Sequence, residues 1–244
     1  MSKKIDRLSL ELPSDVFGVL REFLTANDFL QLCHVSKIIY VETKPHKFYY
    51  LNRFLSLEFC FNENLRDIVR RSLIMDKQLS LNLSSCRNVV DVSALGGVHS
   101  LDLSWGVNVT DVSALGGVHS LDLHCCNISD VSALGRVHNL NLSSCRNVVD
   151  VSALGGVHTL NLSGCRNVIV VSALGGVHTL TLCVCDNVVD VSALGGVHTL
   201  SLGDCNVTDV SALGGVHTLN LSGCDNVVDV SALGRVHLTH SSQS

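Results

Sequence analysis

Beyond Lys77 this 244-residue chain contains no lysine, tyrosine or phenylalanine, and Trp105 is the only member there of the Phe, Tyr and Trp class. All six lysines, three tyrosines and seven phenylalanines lie at or before that residue, which sets a compositional boundary near Lys77. The chain also lacks a basic excess. With 16% charged residues, a net charge of -5 and a pI near 6.1 it offers no general field for polyphosphate, so nucleic acid is not expected as a partner. No stretch approaches the ~18 to 20 apolar residues of a membrane span, and the opening MSKKIDRLSL lacks the apolar run of an export signal. A place inside the cell, in the cytoplasm with the nucleus also open, is the expectation. The eleven cysteines mostly recur once per repeat, so they read as thiols rather than a disulfide framework. What remains, 46% apolar residues, is ample for a core.

Aligned on itself, the chain shows units starting at Gln78, Val98, Val118, Val137, Val157, Val177, Val197 and Val216, with a broken ninth start at Val236. Six units have 20 residues and two have 19, with the consensus V-H-x-L-x-L-S-x-C-x-N-V-x-D-V-S-A-L-G-G. A fixed period of this size implies stacked coils, none of which can cover its apolar side alone. In the unit from Val98, alternation around Leu101 and Leu103 predicts a strand. The three-residue spacing from Val109 through Val112 to Leu115 predicts a 3₁₀-like return, since the unit is too short for a full helix. Asp111 and Ser113 are placed to satisfy amides of that turn, and Gly116 with Gly117 to permit the reversal into the next strand. Eight coils at about 4.8 Å per strand make a stack on the order of 40 Å. Cys86, Cys126, Cys145, Cys165, Cys185, Cys205 and Cys224 share the ninth position, with Gly106 the exception, and are expected to point inward as a ladder.

The pattern L-x-x-L-x-L-x-x-C, or N for C, running from Leu81 to Leu221, resembles the leucine-rich-repeat signature. The resemblance implies an α/β solenoid: a short horseshoe with a parallel β-sheet on its inner face and a 3₁₀ or irregular outer face. Cysteine at the ninth position resembles the subtype common in F-box proteins, while the compact D-V-S-A-L return is more similar to short bacterial repeats.

Ahead of the repeats, LELPSDVFGVLREFLTANDFLQLCHVSKIIY predicts a small all-α module. Pro13 suits the first turn of a helix with Ser14 and Asp15 near its positive end, and Val16, Val19, Leu20, Phe23 and Leu24 share one face. Asn27 or Asp28 is placed to cap a second helix. Leu12, Pro13, Val16, Leu20, Leu24, Asp28, Leu30, Val35, Ser36 and Lys37 resemble the F-box pattern, without its usual aromatic after Val-Ser or its proline before the Asp. The resemblance implies that Leu12, Pro13, Val16, Leu20, Leu24 and Leu30 bind a Skp-type adaptor of a cullin ubiquitin ligase, leaving the repeats to hold a target protein. The alternative is a helical cap on the first coil. The expected organisation is an F-box-like domain over 1–43, a helical linker and cap over 44–77, the solenoid over 78–235, and a broken repeat and tail over 236–244. Near-identical repeats behind an F-box resemble proteins of large DNA viruses of amoebae, of marseillevirus type, which would place the chain in a host cytoplasm.

Histidine recurs as His99, His119, His138, His158, His178, His198, His217 and His237, a column that lacks carboxylates at matching spacing, so neither metal nor cofactor is expected. A mild pH response of the column is expected instead. Cys125 with Cys126, and Cys183 with Cys185, read as structural thiols, since no second ligand pair sits at finger-like spacing. Ser, His and Asp occur in every unit and single out no catalytic set, so no enzyme is expected. The strand residues of the inner face are small and neutral, and departures from consensus carry the information: Trp105, His124, Cys125, Val184 and Asp204. Asp102, Trp105, Asp122 and His124 form the expected partner-binding patch, because binding energy concentrates on tryptophan.

Overall fold

The computed structural model describes residues 48–51, 53–63 and 78–239. All of them belong to the second of two compact units, Phe48–Ser244; the first is Met1–Lys47. Leu12, Pro13, Val16, Leu20, Leu24 and Leu30, with the rest of the F-box-like segment, lie outside the described residues.

Ten parallel strands stand side by side in chain order: β1 (Phe48–Leu51), β2 (Gln78–Asn82), β3 (Ser100–Asp102), β4 (Ser120–Asp122), β5 (Asn139–Asn141), β6 (Thr159–Asn161), β7 (Thr179–Thr181), β8 (Thr199–Ser201), β9 (Thr218–Asn220) and β10 (His237–Thr239). This is a leucine-rich-repeat solenoid. In β3 the central Leu101 is 1% exposed between half-buried Ser100 and Asp102, and the same alternation recurs through β9. The register joins Leu81, Leu101, Leu121, Leu140 and Leu160 into one apolar row. A one-residue slip would turn that row to solvent, so the short strands keep register through burial.

From β2 to β8 each strand runs into a bend whose second leucine, such as Leu103, is fully buried, and the ninth position then turns into the core. There the thiol donates to a carbonyl one coil back: Cys145 Sγ to Leu123 O at 3.0 Å, Cys165 to Leu142 at 3.1 Å and Cys205 to Leu182 at 2.9 Å. Burial pushes the thiols of Cys145, Cys165 and Cys205 up to about 12, and those of Cys126 and Cys185 to about 11. The expected ladder is present and structural.

The outer side returns through 3₁₀ turns, of which Ser113–Gly117 is representative, with Leu115 buried beneath it. Asp111 accepts the N–H of Ser113 at 2.9 Å, as its spacing predicted. The glycines act differently from expectation. The turn ends in ordinary right-handed backbone, with Gly96 at φ -62° and Gly135 at φ -63°. Glycine is needed because a Cβ on Gly116 would lie 2.3 Å from Ala133 O of the next coil, and one on Gly155 2.4 Å from Ala173 O. Where a next repeat coil is lacking, at Gly234, nothing lies within 4 Å.

The cap region, expected to be helical, also supplies a strand: β1 pairs with β2 from Phe48↔Gln78 to Leu51↔Leu81. Helix α1 (Arg53–Phe61) follows, with Phe59 and Cys60 buried and Ser56 Oγ accepting the N–H of Asn82 at 3.1 Å. The broken ninth start at Val236 likewise yields β10. No helix of the described residues is long and apolar enough to cross a membrane.

Candidate functional site

Directly before the buried ninth position, each coil places one residue in left-handed backbone: Ser85, Trp105, Cys125, Ser144, Gly164, Val184, Asp204 and Gly223, with φ between 56° and 71°. The conformation is imposed by the stack, because the N–H at this position donates to the following coil, Trp105 to His124 O at 2.8 Å and Val184 to Gly203 O at 2.8 Å. Only glycine takes it freely; any other residue costs about 1 to 2 kcal/mol. Trp105, at φ 61°, is also 53% exposed, so its ring contributes little to the core.

The four residues of the expected patch sit on the second and third coils, where Asp102 pairs with Asp122 in register. Asp102 Oδ1 is occupied by its own coil, accepting the Ser104 N–H at 2.9 Å and its hydroxyl at 2.7 Å. Asp122 bridges coils: Oδ1 accepts the His124 N–H at 2.8 Å and Oδ2 accepts Asn141 Nδ2 at 3.1 Å. The Trp105 and His124 rings meet edge to face with centroids 5.2 Å apart, a favoured aromatic geometry. Trp105, Asp122 and His124 thus form one connected group. Sequence reasoning missed Ser143 and took Cys125, though a departure from consensus, for a structural thiol. Ser143 lies with Oγ 2.7 Å and its carbonyl oxygen 3.0 Å from His124 Nδ1, and Cys125 Sγ lies 3.3 Å from His124 Nε2. The available signal was that positions 124 and 125 both depart from consensus in the same coil.

The histidine column is a stack of rings. From His99 to His217 each neighbouring pair has centroids 4.6 Å apart, with interplanar angles from 9° to 31°. Several Nδ1 atoms approach the next side chain, as in His198 to Thr199 Oγ1 at 3.2 Å and His217 to Thr218 Oγ1 at 3.0 Å. Near-parallel rings cannot converge their lone pairs on one ion, and among the described residues no group of three or more His, Cys, Asp or Glu could hold a metal. His99 is held below the ordinary imidazole value of 6.5 by partial burial and then by the charge of His119.

A second surface was missed entirely. Val149, Ile169 and Val189, at one position of three successive coils, are each more than half exposed, and Val170 beside them is 68% exposed. Val149, Ile169 and Val170 line a depression with Asp150, Ser152, Ser172 and Ala173. Val170 occupies the place held by aspartate in the other seven coils, so it offers Ser172 no carboxylate.

No protein-family model matches the chain, and no curated protein matches its sequence. Solved structures do resemble it. An internalin, InlF, of Listeria monocytogenes aligns at 22% identity over 61% of this chain and 55% of its own length, with a TM-score of 0.48. The functional domain of InlJ from the same organism, which includes a cysteine ladder, aligns at 16% identity over 65% of this chain and 41% of its own, with a TM-score of 0.44. A leucine-rich-repeat protein of Leptospira interrogans aligns at 16% identity over 70% of this chain and 50% of its own, with a TM-score of 0.49. The chain therefore matches about half the length of InlF.

Proposed function

We propose that the solenoid is a protein-binding receptor whose principal contact is the Trp105 patch, and that the segment before it couples the receptor to a Skp-type adaptor of a cullin ubiquitin ligase. Trp105 carries the first part of this reading. An indole held in left-handed backbone, where four of the other seven coils carry serine or glycine, costs the fold stability and leaves more than half its surface in water. Docking of a partner is the use that such a side chain supports, with Asp102 and Asp122 beside it to fix polar groups. The chain does no chemistry of its own in this role; it would be a non-catalytic subunit acting in the cytoplasm, or in a host cytoplasm if its origin is viral.

The ligase link rests on the resemblance of Leu12, Pro13, Val16, Leu20, Leu24 and Leu30 to the F-box pattern. It is tested by titrating the full chain with a purified Skp-type adaptor, alongside Leu12→Ala/Pro13→Ala. Saturable binding that this double variant loses is expected. Its absence in the folded native chain would leave a stand-alone leucine-rich-repeat scaffold with a helical cap. The receptor role is tested separately, by comparing the proteins that copurify with the native chain and with Trp105→Ser in the same cells. A specific partner lost with the indole is expected; an unchanged set of partners would remove the patch from the reading.

A further inference from the structure

We propose that Cys125 is a nucleophilic thiol, served by His124 as its base, that forms mixed disulfides with small-molecule disulfides. The hydrogen bonds around His124 have only one consistent direction. Ionised Asp122 can only accept, so Asn141 Nδ2 donates to its Oδ2 at 3.1 Å. Asn141 Oδ1 is therefore the acceptor, as the Ser143 N–H pointing at it from 3.0 Å also requires. The Ser143 hydroxyl spends its single proton on the same Oδ1, at 2.7 Å. Its oxygen then has only lone pairs for His124 Nδ1, at 2.7 Å, and the Ser143 carbonyl oxygen at 3.0 Å can likewise only accept. Nδ1 must carry a hydrogen. In the neutral ring Nε2 is left as the acceptor, and Cys125 Sγ lies 3.3 Å from it.

The tautomer that can take a thiol proton is thus fixed by a chain running Asp122, Asn141, Ser143, His124. Activation of this kind needs a base within reach and access for the electrophile. Cys125 is half-buried, whereas the ladder thiols are buried. Cys183 supplies an internal contrast: it is half-buried too, but its Sγ faces the Ser201 hydroxyl at 3.1 Å and no imidazole.

In the reaction, the Cys125 proton passes to His124 Nε2 and the thiolate attacks one sulfur of the small disulfide. The Cys125 Sγ–S bond forms as the disulfide's own S–S bond breaks, and the departing thiolate takes the proton from Nε2. The small disulfide is the oxidant, so none other is required. The adduct would stand against His124, whose ring Trp105 meets edge-on, making the sole tryptophan of the chain its reporter.

The full chain is mixed with oxidised glutathione near neutral pH, quenched in acid at intervals and peptide-mapped by mass spectrometry, with tryptophan fluorescence followed in parallel. Cys125 is expected to be modified about tenfold faster than Cys183 or more, with an accompanying fluorescence change. The lead should vanish in His124→Ser, a variant that restores the residue found at Ser84, Ser104 and Ser163 of other coils and so should fold. In Cys125→Ser, which matches Ser85 and Ser144, the fluorescence change should be lost. A smaller lead for Cys125 in the native chain, or a lead that His124→Ser preserves, overturns the proposal.

Discussion

Cys145 Sγ donates to the carbonyl oxygen of Leu123 across one coil boundary, 3.0 Å away, and both residues are fully buried. The thiol serves as packing volume and as donor at once. Cys165→Ala, at an equivalent site, is expected to lower stability by about 1 to 2 kcal/mol, from lost burial and a lost hydrogen bond. Urea unfolding of the variant against the native chain measures it. Because burial holds the Cys165 thiol near 12, the folded chain should also resist alkylation there under mildly alkaline conditions and become labelled only on unfolding.

Two glycine substitutions should have opposite outcomes. Gly155→Ala drives a Cβ to 2.4 Å from Ala173 O, a backbone atom that cannot yield without separating two coils, and should cost at least about 2 kcal/mol. Gly97→Ala meets nothing within 4 Å and should be neutral or stabilising by up to about 1 kcal/mol, through the unfolded chain. Thermal unfolding of the pair decides whether coil contact, rather than backbone freedom, requires the first glycine.

Val184→Gly should stabilise the chain by about 1 kcal/mol, since it relieves a β-branched residue held at φ 59°. Trp105→Gly should gain similarly in a denaturant titration. If both variants lose stability instead, the side chains at this position contribute packing that outweighs their backbone cost.

The aspartates of the outer turns give an acid-side prediction. Asp111, Asp150, Asp190, Asp209 and Asp229 are held below the ordinary value of 3.8, mainly by the N–H of the serine two residues on, and Asp130 similarly with the Ser132 side chain first. The unfolded chain therefore binds more protons, and stability rises with pH through this range. The contribution is present above the ordinary value and is lost as pH falls through the lower folded values. His99 acts with the same sign nearer neutrality: its depressed value means stability present above 6.5 declines as pH falls through the folded value. Urea midpoints measured from about pH 7.5 down to about pH 3 should show a shallow fall and then a steeper one. Val170→Asp should deepen the second.

Much of the fold was legible because its causes are compositional. Leu101 alternates with Ser100 and Asp102, and a period of 19 or 20 residues leaves only stacked coils as a way to bury that leucine. The left-handed position was not legible, because Trp105, Cys125 and Val184 are residue types that ordinarily avoid it; only Gly164 and Gly223 hinted at it. The strand Phe48–Leu51 was missed because it lies outside the repeat and is specified by pairing with β2. In the candidate site, the period places Asp122 next to Asn141 and His124 next to Ser143, each one coil apart. The direction of every hydrogen bond between them depends on distances that spacing alone does not supply.

The near-identity of the coils makes the molecule a ruler graduated in whole numbers. Excision of residues 157–176 would join Gly156 to Val177, a junction of the same kind as the Gly176–Val177 one it replaces. The group around His124 and the coil bearing Val184 would both survive, closer by one division of about 4.8 Å. Spacing between surface features along this stack is thus an integer, altered by gain or loss of a coil and not by remodelling of either feature.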